Sequence, residues 1–236
     1  MKLKEKISMS WSGGKDCALA LYKILEEGNY KVESLHTSID YSSKKVGLHG
    51  IPEALIEEQA RLLHLPLEKI YLNKTGSNSS YEEELLLFYD KLQSQNINKI
   101  ISGDIFLEDL RAYKEALASR KNIKIEFPLW GIDTHSIVED FLGLGFKTAV
   151  CAADGNIFPA DIIGKIIDHE FLGRLPEGVD PCGENGEYHT FTCEGPIFNG
   201  KVDFLINGYY SEDFYFKTED GKEVKRWFHF AEFRMP

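Results

Sequence analysis

The amino-acid sequence predicts an α/β protein: a parallel sheet with helices on both faces, followed by a smaller α+β region. Three observations carry this. Short apolar runs alternate with segments of helical period from Ile7 to Phe127. The first run leads through a glycine-rich loop directly into a helix. From Pro128 the alternation stops, and the final stretch is rich in strand-forming residues. Strands alternating with helices of this length imply parallel pairing through right-handed crossovers.

Residues 7–11 read as the first strand, and Ala18, Leu21, Tyr22 and Leu25 recur at helical spacing as far as Gly28, a helix stop. Residues 30–39 read as a second strand and 40–50 as a polar loop. Pro52 opens a helix, where its missing N–H costs nothing, and Leu55, Ile56, Ala60 and Leu63 form its apolar face. Residues 67–72 read as a third strand and 73–79 as another polar loop. Ser80 and Glu83 have capping-box spacing ahead of Leu85, Leu86, Phe88, Tyr89 and Leu92. Residues 99–103 form a fourth strand, followed by Asp104, a helix over about 107–120 and a fifth strand over 123–127.

Beyond Pro128, Thr134 is placed to cap a helix through Ser136 to Leu142, residues 146–152 look like a strand, and 162–171 have helical period. Residues 202–206, 214–217 and 224–230 read as strands, the last two around a Glu219-Asp220-Gly221 turn. A boundary near 128–131 divides the chain into residues 1–129 and 130–236.

With 236 residues, 43% hydrophobic and 28% charged, the composition is that of an ordinary globular protein. A net charge of −11 argues against broad electrostatic attraction to nucleic acid. No apolar run approaches the roughly 20 residues that cross a bilayer, and Met1 to Lys6 lead into a core strand rather than a signal sequence, so a cytoplasmic location is expected. Cys17, Cys151, Cys182 and Cys193 form no C-x-x-C pair and read as reduced thiols, with a Cys182–Cys193 disulfide as the lesser alternative.

Ser10-Trp11-Ser12-Gly13-Gly14-Lys15-Asp16-Cys17 joins the carboxyl end of the first strand to the amino end of the first helix. There the first backbone N–H groups lack intrahelical partners and the helix dipole adds partial positive charge, so an anion satisfies both. Gly13 and Gly14 allow a tight turn and close approach, Lys15 supplies a mobile cation, and Ser10 and Ser12 offer hydroxyl donors. This is phosphate-cradle chemistry. It is not the common G-x-x-x-x-G-K-[ST] loop, which needs a glycine where Met9 stands and a hydroxyl where Asp16 stands. Ligands of parallel sheets lie beyond the strands' carboxyl ends, which adds Thr37 to Asp40 and the Gly103-Asp104 pair as candidates.

A second stretch, residues 180–191, reads D-P-C-G-E-N-G-E-Y-H-T-F and is sparse in anything a core would want. Glu184, Glu187, His189 and Thr190 alternate acceptor and donor chemistry at short range, as in a binding loop; a solvated turn is the alternative.

The first motif resembles the S-G-G-K-D-S loop of the PP-loop ATP pyrophosphatases, with Cys17 in place of the usual serine. Together with G-E-N-G-E-Y-H-T-F before Gly195-Pro196-Ile197-Phe198, the chain is similar to the diphthine-ammonia ligase branch of that superfamily. Leu48-His49-Gly50-Ile51, the Gln59-Ala60 helix, Gly103-Asp104-Ile105 with Arg111 and Glu115, and Pro128-Leu129-Trp130 extend the resemblance over nearly the whole chain. Archaeal and eukaryotic members more often carry E-G-G-E-[FY]-E-T, so Asn185 and His189 mark a variant group.

The resemblance implies a Rossmann-like, HUP-type sheet and an enzyme that activates a carboxylate. The carboxylate attacks the α-phosphate of Mg-ATP, pyrophosphate leaves, and ammonia displaces AMP from the acyl adenylate. Ser10, Ser12, Gly13, Gly14, Lys15, Asp16, Cys17, Thr37, His49 and Gly103 are then the ATP-binding candidates. Lys15, Asp16, Asp104 and Glu187 are the catalytic candidates, and Asp16 either holds Mg2+ or caps its helix. Arg111, Glu184, Asn185, Glu187, His189 and Thr190 are the substrate-binding candidates, Arg111 being equally suited to a surface pair. The implied partners are ATP, ammonia and a carboxylate acceptor, either diphthine on elongation factor 2 or a substitute, and a homodimer is left open. Rival readings are another acceptor, sulfur transfer to RNA, or a nucleotide sensor without turnover.

Overall fold

A computed structural model of the protein describes residues 4–72, 78–217 and 223–236. In the first part β1 (Glu5–Ser10), β2 (Tyr30–Asp40), β5 (Leu67–Leu72), β6 (Lys99–Ile101) and β7 (Lys124–Glu126) alternate with α1 (Lys15–Glu27), α2 (Glu53–Leu63), α3 (Asn78–Ser94) and α4 (Glu108–Ser119). Two short strands, β3 (Lys45–Val46) and β4 (Ile51–Pro52), interrupt the segment between β2 and α2. The parallel strands run β5-β2-β1-β6-β7. Met9 stands opposite Leu35 and Ile101, which buries the middle of the sheet. Alternation along β6 sends Ile101 into the core shared with α1 and α2, and Ile100 into the core built by α3 and α4. Helices therefore cover both faces.

The segment over 40–50 is not the expected plain loop. Ile39 pairs with Tyr71 of β5 on one side and with Val46 of β3 on the other, where β1 has already ended. The β3–β4 hairpin thus extends the sheet over the loop that follows β1, and a 3-10 turn (Gly47–His49) hangs His49 there. Pro52 sits just before α2, which begins at Glu53, so the fixed proline φ ends β4 rather than opening the helix. α3 already begins at Asn78, which places Ser80 inside the helix; the rest of the expected 73–79 loop and the Ser80 side chain lie outside the described residues.

Beyond the first sheet, α5 (Thr134–Gly143) is capped by Asp133, whose carboxylate accepts the Ser136 N–H at 2.9 Å, rather than by Thr134. β8 (Lys147–Asp154), β9 (Tyr188–Glu194), β10 (Leu205–Lys217) and β11 (Glu223–Arg234) form an antiparallel sheet in the order β10-β11-β8-β9. The helix expected over 162–171 does not form. Lys165 C=O accepts from Val150 N–H at 2.9 Å and Ile167 N–H donates to Thr148 C=O at 2.9 Å, so this segment docks on the part of β8 that β11 leaves free. Gly164, at φ +83°, makes the bend. Helical structure is confined to a 3-10 turn ending at Ile162 and to α6 (His169–Leu172). The last two expected strands belong to one long hairpin of β10 and β11, whose turn lies outside the described residues, and residues 202–204 precede β10 instead of forming a strand.

One hydrophobic core runs from Ile7, Trp11 and Leu19 through Phe141 and Phe146 to Phe191 and Phe233. No helix among the described residues is long and apolar enough to cross a membrane.

Candidate active site

β1 carries β2 on one side and β6 on the other, so the chain's winding reverses there and leaves a crevice beyond the strand ends. Two loops meet in it: residues 10–14 after β1 and 102–104 after β6. Gly103 makes the meeting possible, because a Cβ there would stand 2.9 Å from Asp16 C and Cys17 N, inside the first turn of α1. Gly13 takes φ +83° and passes so close to α2 that a Cβ would lie 2.6 Å from Ile56 Cδ1.

The loop is held from two sides. Gln59 on α2 accepts the Trp11 indole N–H at 2.8 Å and donates to Gly13 C=O at 3.0 Å and Thr192 C=O at 2.7 Å. From β9, Thr192 N–H donates to Gly13 C=O at 2.8 Å, and Thr190 Oγ1 accepts the Lys15 N–H at 3.0 Å. The second polar stretch therefore lies directly over the first.

Between them is a cavity of about 290 Å³. Of the residues singled out in the sequence, Ser10, Ser12, Lys15, Asp16, Cys17, His49, Gly103, Asp104, Glu184, His189 and Thr190 line it. Gly13 and Gly14 form the turn behind it. Thr37 lines an adjoining cavity of about 240 Å³, with Tyr81, Leu85 and Tyr89 of α3; Ser10, Ser12, Ser102 and Lys114 line both.

Lys15 is 3% exposed, and its ammonium donates to both oxygens of Asp16 at 2.8 Å and to Cys182 C=O. Burial is the strongest single influence and works against this charge, but the opposing influences, the Asp16 carboxylate first among them, together hold the lysine above its usual range. Glu184 accepts the Ile105 N–H at 3.2 Å, and burial, with Asp16 nearby, pushes its carboxyl up to about 7. The His49 and His189 rings lie 4.7 Å apart, tilted by 39°; burial and Lys15 lower both, with His189 also lowering His49, and His189 falls to about 4, so the pair is neutral. Cys17 donates to Gly14 C=O at 3.1 Å and burial pushes its thiol up to about 11. All four cysteines are free.

Three candidates lie away from this cavity. Glu187 points back into its own loop, accepting from Asp180 N–H at 3.1 Å and Asn185 Nδ2 at 3.0 Å, and Asn185 is exposed. Arg111 pairs with Glu115 at 2.9 Å and stacks over Trp130 at 4.6 Å. Lys114, one turn further along α4, faces the crevice instead, donating to Asp104 at 2.7 and 2.8 Å. Sequence reading missed Lys114, Ser102, Cys182 and Tyr188. A lysine one helical turn from Arg111 was a signal for the first; the main-chain carbonyl of Cys182 gave none.

Asp16 has both oxygens on Lys15 and makes no cap to α1, whose preceding residue, Gly14, has no side chain to offer. Among the described residues no group of three or more His, Cys, Asp or Glu is arranged to hold a metal ion.

An open parallel sheet with a glycine-rich loop at its switch point makes this a doubly wound α/β protein. The particular family follows from sequence comparison. The family model described as diphthamide synthase N-terminal domain matches residues 5–125, and that described as diphthamide synthase C-terminal domain matches residues 133–228. The chain belongs to the diphthamide synthase family. A diphthine–ammonia ligase of Homo sapiens is 26% identical over 214 residues, covering 81% of this chain and 79% of that protein. The diphthine–ammonia ligase of Bos taurus is 25% identical over 219 residues, with the same coverage of 81% and 79%. Among solved structures, a predicted subunit of tRNA methyltransferase from Methanocaldococcus jannaschii aligns with TM-score 0.38 at 22% identity, over 58% of this chain and 74% of that one. The U34-tRNA thiolase NcsA of Methanococcus maripaludis aligns with TM-score 0.36 at 16% identity, over 61% and 58%.

Proposed function

We propose that the protein is an ATP-dependent amide ligase of the diphthine–ammonia ligase type, acting in the cytoplasm. The observation that carries this is the buried Lys15 ammonium in a cavity walled on one side by the glycine loop and on the other by residues 182–190. The first wall suits phosphates; the second, an acceptor.

The phosphates of ATP occupy this cavity, and adenosine the adjoining one, where Tyr81, Leu85 and Tyr89 offer apolar surface. An acceptor carboxylate oxygen forms a bond to the α-phosphorus while the bond to the bridging oxygen breaks, and pyrophosphate departs. Ammonia then bonds to the acyl carbon, the bond to AMP oxygen breaks, and the nitrogen loses a proton. A carboxylate resists direct amidation because oxide is a poor leaving group, whereas AMP is a good one. The protein's work is positioning and charge neutralisation: Lys15 faces the charge that grows on pyrophosphate. Asp16 and Asp104 are paired here with Lys15 and Lys114, and an entering phosphate that shares those lysines would free carboxylate oxygens for a divalent cation it carries. Mg2+ bound there would offset phosphate charge, and Asp16 is the residue we assign to it.

The acceptor is a carboxylate, with diphthine on elongation factor 2 as the first candidate. Sulfur transfer is disfavoured by the thiols themselves: Cys17, Cys151, Cys182 and Cys193 are all buried and pushed up by it. The test is incubation with Mg-ATP and ammonium, with and without diphthine-bearing elongation factor 2, separating AMP and pyrophosphate from ADP and phosphate. AMP and pyrophosphate that disappear in Lys15→Ala support the reading; ADP as product overturns it.

A further inference from the structure

Lys15 lines only the cavity assigned to the phosphates, whereas Lys114 lines both that cavity and the one assigned to adenosine. The group of ATP that lies between adenosine and pyrophosphate is the α-phosphate, the centre that is attacked. Building on the nucleotide reading above, we infer that Lys114 is a catalytic residue: the cation that binds the α-phosphate and neutralises its charge during adenylation.

The local chemistry supports this assignment. Lys114 is carried on α4 opposite the end of β6, where Asp104 accepts from its ammonium at 2.7 and 2.8 Å and Ser102 Oγ lies 3.4 Å away. The lysine side chain is 31% exposed while that of Asp104 is 12% exposed, so the carboxylate is the fixed member and the ammonium the one with room to move. Asp104 itself accepts from Ser102 Oγ at 2.7 Å, which orients it toward the crevice. The arrangement repeats that of Lys15 with Asp16: each lysine waits beside its own carboxylate, and an entering phosphate shares it. A carboxylate oxygen adding to the α-phosphorus increases the negative charge on the remaining α-oxygens, so a cation there counts more in the transition state than in the bound substrate. Arg111 cannot do this, being committed to Glu115 and stacked on Trp130.

AMP and inorganic pyrophosphate divide the two lysines between them. Calorimetric titration of each, with Mg2+, into wild type, Lys114→Met, Lys114→Arg and Lys15→Met reads the assignment. Lys114→Met weakens AMP about 10-fold or more and pyrophosphate less than about 3-fold, as loss of one charge-assisted bond predicts. Lys15→Met shows the reverse, and Lys114→Arg keeps AMP binding. In ATP–pyrophosphate exchange with diphthine-bearing elongation factor 2, Lys114→Met lowers kcat more than it raises the KM for ATP. If Lys114→Met leaves AMP affinity intact, or loses both ligands equally, the assignment is wrong. Loss of AMP binding in Lys114→Arg as well would make the lysine merely structural and also overturn it. Failure of wild type to bind AMP and pyrophosphate overturns the nucleotide reading, and this one with it.

Discussion

Glu184 shows how the crevice spends stability on acidity. Its folded carboxyl is pushed up to about 7 from an ordinary 4.5, chiefly by burial. Below 4.5 both folded and unfolded forms are protonated and nothing is lost. Between 4.5 and 7 the unfolded chain increasingly gains by ionising, and above 7 the penalty is constant. Glu184→Gln keeps the acceptor for Ile105 N–H but removes the carboxylate. The variant is therefore expected to gain on the order of 1–3 kcal/mol relative to wild type between pH 5 and pH 8, read by urea denaturation at the two values. An unchanged difference would show that the carboxyl ionises normally. Gln59 makes the opposite case, a neutral residue whose bonds stabilise. Gln59→Leu strands the Trp11 indole N–H and removes a donor from Gly13 and Thr192 carbonyls. A loss of about 2–4 kcal/mol follows, measured by the same denaturation. Residues of this kind divide by legibility. Lys15 and its glycines could be read because loop chemistry is local, whereas Gln59 touches partners 46, 48 and 133 positions away, which no spacing rule connects. Arg111 was sought for the crevice on the correct helix, but a turn of phase decides which side chain enters, and Lys114 took the place.

Among elements, the decisive contact is between the end of β6 and the start of α1. Gly103→Ala would place a Cβ 2.9 Å from main-chain atoms of Asp16 and Cys17, which no rotamer change relieves. The loop and helix must separate, carrying Lys15 away from Asp104. Binding of inorganic pyrophosphate is expected to fall at least about 10-fold, with about 1–3 kcal/mol lost in stability, whereas Gly143→Ala, with open space around its Cβ, leaves both unchanged. Equal behaviour of the two variants would refute the close-packing argument. The parallel sheet was legible because each crossover announces itself in period and length. The segment over 162–171 was not: its apolar spacing suits a helix, but β8 offers unpaired main-chain groups, and Val150 and Thr148 bond it as an edge. Local period lost to a sheet partner formed far away in sequence. The same holds for β3 and β4, too short for a periodic signal and set by pairing with Ile39.

At the scale of the molecule, the two sheets are not independent bodies joined by a linker. The core runs unbroken between them, and polar ties join them: Thr190 on Lys15 N–H, Thr192 on Gly13 and Cys182 C=O on the Lys15 ammonium at the glycine loop, and Glu184 on Ile105 N–H beyond β6. Asn199 N–H adds a bond to Leu62 C=O at 2.9 Å behind α2. A boundary near 128–131 marks a change of texture in the sequence, but the ties that cross it link residues separated by 79 to 175 or more positions and leave no trace in composition. Removing residues 130–236 would strip from Trp11, 1% exposed, the Phe198 ring that packs edge-on against it, and leave the Lys15 ammonium with Asp16 as its one remaining bonded partner among the described residues. The whole chain is therefore expected to unfold in one calorimetric transition, its van't Hoff and calorimetric enthalpies equal. A fragment of residues 1–129 should bind no inorganic pyrophosphate and show exposed apolar surface by dye binding. Two resolved transitions, or a fragment that folds and binds pyrophosphate with the affinity of the whole chain, would mean that the second sheet merely adjoins the phosphate loop instead of building it.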